Sequence, residues 1–241
     1  MRIKKPSEIE FSPELEALLS SAAAPEVEPR VRAGIASRLK TSLAPVRPLA
    51  STPLLAGEFA AAFIVLGGAL IAMMGTRGIF ALSMGRAAVL LAGLTAGVAL
   101  VSVSLALAMA PGTLRRISDA GVAGILAAGF LAVAALLFPW QPSAAFFSEG
   151  WPCMVSGLAM AVFTALLFTW LLRRGAPFYS GALGGTVGAA AGWLGIAVLE
   201  FRCTYQSAPH QLVWHGGALL LAIAGGAILG RRAHASRRMA P

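Results

Sequence analysis

Charge is what this sequence has least of. Only 12% of its 241 residues are Asp, Glu, Lys or Arg while 58% are apolar, too few charges to clothe a soluble globule of this length. With a mean hydropathy of +0.78, the chain reads as an integral membrane protein. Catalytic signatures are also missing: there is no GxSxG, no HExxH, no phosphate-binding GxxxxGK[ST] and no membrane-embedded Ser with Lys, or Asp pair, to suggest a protease. The two cysteines, Cys153 and Cys203, lack the Cys-x-x-Cys spacing usual in thiol oxidoreductases. An enzyme is not expected. No acid, lysine or arginine falls in the middle of an apolar run, where it would mark a proton or ion relay, so an ion-coupled transporter is disfavoured. The net charge of +9 does not point to direct nucleic-acid binding, because the basic residues are scattered between apolar runs rather than gathered on one face.

What is present is length without charge. Six segments reach the roughly 20 residues that a helix needs to cross a bilayer: 54–75, 87–110, 120–139, 153–172, 179–199 and 212–230. Polar or mixed residues 1–53 precede the first, so it is expected to stay in the membrane rather than act as a cleaved signal peptide. Positively charged loops are retained in the cytoplasm. If the N-terminus is inside, that side holds eight basic residues in the tail plus Arg115, Arg116, Arg173, Arg174, Arg231, Arg232, Arg237 and Arg238, and the other side holds Arg77, Arg86 and Arg202. The expectation is an all-α polytopic bundle of six transmembrane helices. A short, partly helical cytoplasmic tail (1–53) precedes it, and a basic cytoplasmic tail (231–241) follows.

This orientation gives meaning to the stretch EFRCTYQSAPHQLVWH, residues 200–215, which becomes the last external loop and the outer start of the final span. Cys153, in GWPCMVSG, opens the fourth span from the same side. Spans four and five are joined by a short internal loop, and about 20 residues up and 21 back bring Cys153 and Cys203 level. Glu149, Cys153, Glu200, Cys203, His210 and His215 are all types that ligate soft or borderline metals, and all fall at one membrane face. No standard zinc spacing is matched. His210 and His215 are five apart, about 140° around an α-helix, and would not share a face of one. A structural disulfide between Cys153 and Cys203, a redox or metal sensor, and inert thiols all stay open. Trp140, Trp151 and Trp214 are expected in the outer interfacial belt.

Within the membrane the clearest pattern is GALGGTVGAAAGWLG. Gly181, Gly184, Gly185, Gly188 and Gly192 fall at four-residue steps that let helices approach closely in lipid. Bundle packing is the simpler use of such a face, homodimerisation the other. In the tail, Leu15, Leu18 and Leu19 share one helical face, and Val31, Ile35, Leu39 and Leu43 recur at i+4 steps in a second helix. Such unpartnered amphipathic helices either lie on the inner leaflet of the lipid bilayer or dock in the groove of a cytoplasmic protein.

Six spans, a cysteine at the external start of span four, a cytoplasmic tail and the segment CTYQSAPHQLVWHGGALLLAIAGGAILG together resemble the NrsF-type proteins, bacterial inner-membrane anti-sigma factors named as negative regulators of sigma F. The resemblance covers roughly residues 45–232. It implies that the tail sequesters a sigma factor of the extracytoplasmic-function class; the candidate docking faces that this tail offers are those of Leu15, Leu18 and Leu19 and of Ile35, Leu39 and Leu43. It also implies that Cys153 and Cys203, with His210 and His215, take part in sensing metal or oxidative stress. A thiophilic metal ion is the one cofactor this suggests. Rival readings are a small-molecule or lipid carrier and a structural membrane scaffold; a carrier would need a polar or aromatic pocket, for which the sequence offers little beyond Trp170, Trp193, Thr164 and Thr186.

Overall fold

A computed structural model describes residues 28–42 and 49–238, apart from 111, 113, 114, 142 and 179. The chain divides into two units, Met1–Pro48 and Leu49–Pro241. In the first unit the described element is α1 (Pro29–Ser42), on which Val31 and Ile35 are about half exposed. Leu15, Leu18, Leu19 and Leu43, and the side chain of Leu39, lie outside the described residues.

The second unit runs α2 (Thr52–Met74), the short α3 (Arg77–Phe80), α4 (Met84–Met109), α5 (Asp119–Leu137), α6 (Phe146–Leu172) and α7 (Gly181–Arg202). The one-turn α8 (Ala208–His210), a π-helical turn (Gln211–His215) and α9 (Gly216–Arg238) complete it. No strand occurs among the described residues. Six of these helical stretches are long and apolar enough to cross a membrane, the last being the continuous run Ala208–Ala235. Ile64, Val65, Leu136, Phe163, Leu166 and Leu229 stand exposed around the unit. An apolar band of this kind suits a hydrocarbon surround and not water.

Local chemistry sets the ends. Pro53 occupies the first turn of α2, where its missing amide costs nothing, and Gly75 stops that helix at φ 90°, a conformation open chiefly to glycine. The Ser118 and Ser180 hydroxyls cap α5 and α7 by accepting from the Gly121 and Leu183 amides. Two spans start a full turn or more before the apolar runs indicate. α6 begins at Phe146 and continues through Pro152, and the last span begins at Ala208. Both extensions are held by aromatic packing at that end of the bundle, where Phe146 meets Trp214 at a tilt and Phe147 meets it edge-on.

α7 is the central helix, with sixteen of its 22 residues buried. Its glycine face is spent on α9: a Cβ at Gly184 would collide with the Gly226 carbonyl, and one at Gly188 with the Ala222 carbonyl. Close backbone approach therefore replaces side-chain interdigitation along this pair. On another side, Trp193 donates Nε1–H to the Leu94 carbonyl at 3.1 Å and meets Phe130 edge-on. Gly97 leaves the space that the indole fills. Trp193 thus ties α7 to α4 and α5. Near the opposite end from the cysteines, Phe168 of α6 packs against Phe59 and Phe63 of α2, and Arg174 pairs with Glu58 at 3.2 Å.

Candidate functional site

Three chain segments meet at one end of the bundle. The first turns of α6 bring Cys153, directly after a proline that cannot donate to the Ser148 carbonyl. The C-cap of α7 brings Cys203, whose amide donates to the Leu199 carbonyl at 2.7 Å, with Glu200 one turn back inside the helix. The α8–π–α9 run brings His210 and His215. The loop between is pinned at both ends: Gln206 donates to the Cys203 carbonyl at 2.8 Å, and the Ala208 amide donates to the Pro139 carbonyl at 2.9 Å.

The four side chains converge. One ligand atom from each of Cys153, Cys203, His210 and His215 lies within 4.8 Å of the other three. Cys203, His210 and His215 are buried, and Cys153 is half-buried. The two sulfurs are 3.7 Å apart and unbonded, and Cys203 Sγ is 3.4 Å from His210 Nε2. Cys203 lies just past the end of its span, and its thiol is pushed well above the ordinary thiol range, first by its contact with Cys153 and then by burial.

The π turn is what unites the histidines. On an α-helix residues five apart diverge, but a π turn hydrogen-bonds i to i+5 and so lays such residues one above the other. Here the His210 and His215 rings meet edge-to-face with centroids 5.3 Å apart. The α-helical angle between them does not apply, because the backbone between them is not α.

Glu149 and Glu200 stand outside the four-donor group. Glu200 is fully buried and does a different job, since His215 Nδ1 lies 2.7 Å from its Oε1 and Gln211 Nε2 donates to its Oε2 at 3.4 Å. A carboxylate accepts, so the proton of His215 sits on Nδ1. Its Nε2 is then left buried with no hydrogen-bond partner. In the neutral ring that atom carries a lone pair, and a carboxylate behind an imidazole is the usual means of orienting a histidine ligand. Glu149 offers its main-chain carbonyl to the Cys153 thiol at 3.9 Å. It also lies near Tyr205, whose ring packs on His210 at 5.4 Å and whose hydroxyl is held above the ordinary phenol range, chiefly by the Glu149 charge.

The donor set fits a metal ion. Bonds of about 2.3 Å to sulfur and 2.0 Å to nitrogen put tetrahedral edges at roughly 3.8 Å between sulfurs and roughly 3.5 Å between sulfur and nitrogen. The 3.7 and 3.4 Å separations already match those edges. The same sulfur spacing also lets the two thiols join when oxidised, since a small side-chain movement closes it.

Three features were not visible in the sequence. Trp214 is buried, with Gly150 leaving the space for its indole, and is not a belt residue; Trp140 and Trp151 are exposed as such residues should be. Gln211 and Tyr205 join the surroundings of the site, and nothing in their spacing marks them. The glycine face of α7 is used within the chain.

A family model described as "NrsF: Negative regulator of sigma F" matches residues 39–234. No curated protein and no solved structure matches the chain.

Proposed function

Because the chain belongs to the NrsF family, negative regulators of sigma F, we propose that it is an inner-membrane anti-sigma factor with both termini in the cytoplasm. Its tail would hold a sigma factor of the extracytoplasmic-function class and release it when a metal ion reaches Cys153, Cys203, His210 and His215 from outside. The observation that carries this reading is the convergence of four donors with an unpartnered His215 Nε2 among them. The ligand class is a thiophilic or borderline ion, Zn²⁺ or Cd²⁺ for example, because two sulfurs and two imidazoles suit such ions and not hard ones.

The packing supplies a route inward. α7 and α9 are locked backbone to backbone, and α7 with its C-cap and the α8–π turn run that leads into α9 carry Glu200, Cys203, His210 and His215; α6 brings Cys153 alone. Ligation would therefore move α6 against a rigid pair. At its far end α6 meets α2 through Phe168, Phe59 and Phe63 and through Arg174 and Glu58, and α2 follows the tail in sequence. The exposed ion pair contributes about 0–1 kcal/mol, so the aromatic contact is the stronger link. A coupling of about 1–3 kcal/mol, typical of allosteric proteins, is enough to change the affinity of the tail 5- to 150-fold.

A second reading of the stimulus rests on the 3.7 Å sulfur separation: an external oxidant would form a Cys153–Cys203 disulfide. Purification of the full-length protein in detergent tests the scheme. A sigma factor should copurify, be released by added Zn²⁺, and stay bound to Cys153→Ser and Cys203→Ser under the same treatment. Absence of any sigma factor would overturn the anti-sigma reading, whereas release unaffected by the serine variants would overturn only the sensor. Release by an oxidant that survives His210→Ala and His215→Ala, with release by metal lost, would assign the thiols to redox chemistry as well.

A further inference from the structure

At the opposite end of the bundle from the cysteines, α6, α7 and α9 leave a cleft of about 700 Å³, within the range of small-ligand pockets. Its walls include Trp170 and Arg173 of the α6 end, Gly184 and Gly188 of α7, and Gly225 and Leu229 of α9. The cleft follows from the glycine packing already described: where α7 and α9 touch through backbone, the glycines carry no side chain to fill the angle that the pair makes with α6. Gly225 is the clearest sign, since a Cβ there would meet nothing within 4 Å.

The end of the cleft is positive. Arg173 lines it. The α7 N-terminus, whose Leu183 and Gly184 also line the cleft, is itself a partial positive charge, and Arg231, outside the lining, lies against Gly181 at that same terminus. No carboxylate lines the cleft. Arg174 is turned elsewhere, over the Trp170 ring at 4.6 Å and towards Glu58. A long apolar cleft with Arg173 at its end, at membrane-interface depth, matches one kind of molecule, with hydrocarbon at one end and a phosphate at the other.

We propose that this cleft binds an anionic diacyl phospholipid, an acyl chain lying along the α7–α9 glycines and the phosphate held by Arg173. Under the orientation proposed above the lipid belongs to the cytoplasmic leaflet. Binding itself depends neither on that orientation nor on the reading of the metal site. A fixed lipid here fills the wedge between α6 and the α7–α9 pair.

Native mass spectrometry of the full-length protein, after exchange into vesicles of phosphatidylglycerol and phosphatidylethanolamine in equal parts, tests this. Wild type should retain phosphatidylglycerol several-fold over phosphatidylethanolamine. Gly225→Leu, whose side chain enters open space, should lose most of the retained lipid, while Gly225→Ala should keep it. Arg173→Gln should keep lipid but lose the headgroup preference. Equal retention of the two lipids by wild type, or retention unchanged in Gly225→Leu, would overturn the proposal. So would conversion of a wild-type dimer to a monomer by Gly225→Leu without lipid loss, because the cleft would then be a contact between copies.

Discussion

His215 shows how little a residue type says before its neighbours are known. One ring nitrogen faces the buried Glu200 carboxylate at 2.7 Å and the other is buried without a partner, so the ring is set in one orientation and, when neutral, presents one lone pair. Glu200 also accepts from Gln211, but it reaches the four-donor group through this ring. Removing such an orienting carboxylate commonly weakens metal binding by 10- to 100-fold. Glu200→Gln should therefore raise the Kd of the full-length protein for Zn²⁺ by that factor, measured by competition with a chromophoric chelator, and leave both thiols titratable. His210→Ala and His215→Ala should lose more, each removing a donor outright. A Glu200→Gln protein that binds as tightly as wild type would show that the carboxylate only packs.

Two elements decide the geometry, and they do it by different means. The π turn at Gln211–His215 aligns two histidines that an α-helix would separate. The α7–α9 pair supplies a rigid back wall, and its glycines are not equivalent. A Cβ at Gly188 would run into the Ala222 carbonyl, while one at Gly185 would meet the Ala227 side chain at 3.7 Å, ordinary contact. Gly188→Leu is therefore expected to cost at least the 1–3 kcal/mol usual for overpacking, since backbone cannot step aside as a side chain can. Its abundance in membranes and its Tm in detergent should fall, while Gly185→Ala should match wild type in both. Equal tolerance of the two would mean that the helices do not approach as closely as the structure has them.

At the scale of the whole molecule, charge asymmetry and the site make one joint statement about sidedness. Every cysteine and two of the three histidines gather at one end of the bundle, while Arg115, Arg116, Arg173, Arg174, Arg231 and Arg232 belong to the other side of the expected topology. In intact spheroplasts a membrane-impermeant maleimide should label Cys153, the half-buried thiol, ahead of the buried Cys203. Prior Zn²⁺ should protect both. Labelling that appears only after the membrane is disrupted would reverse the orientation and, with it, the side from which a signal is received.

Sequence alone determined the class of this protein and the number of its spans, because crossing hydrocarbon demands about twenty apolar residues at a time and leaves that demand in plain view. It also brought Cys153 and Cys203 to one level, since two helices of similar length joined by a short loop must return to the depth they left. The small-residue rhythm of α7 announced close packing but not its partner, for glycine at four-residue steps serves a neighbour in the same chain as readily as a second copy. The rest waited on tertiary structure. Whether His210 and His215 face each other depends on one π turn, which no residue pattern in QLVWH specifies. Whether Glu200 is a ligand or stands behind one depends on which ring nitrogen it meets, and whether Trp214 lies in lipid or in the core depends on the space left by Gly150, some sixty residues earlier. Periodicity reports the solvent that a helix faces. Only the packed chain decides which side chains share a point in space.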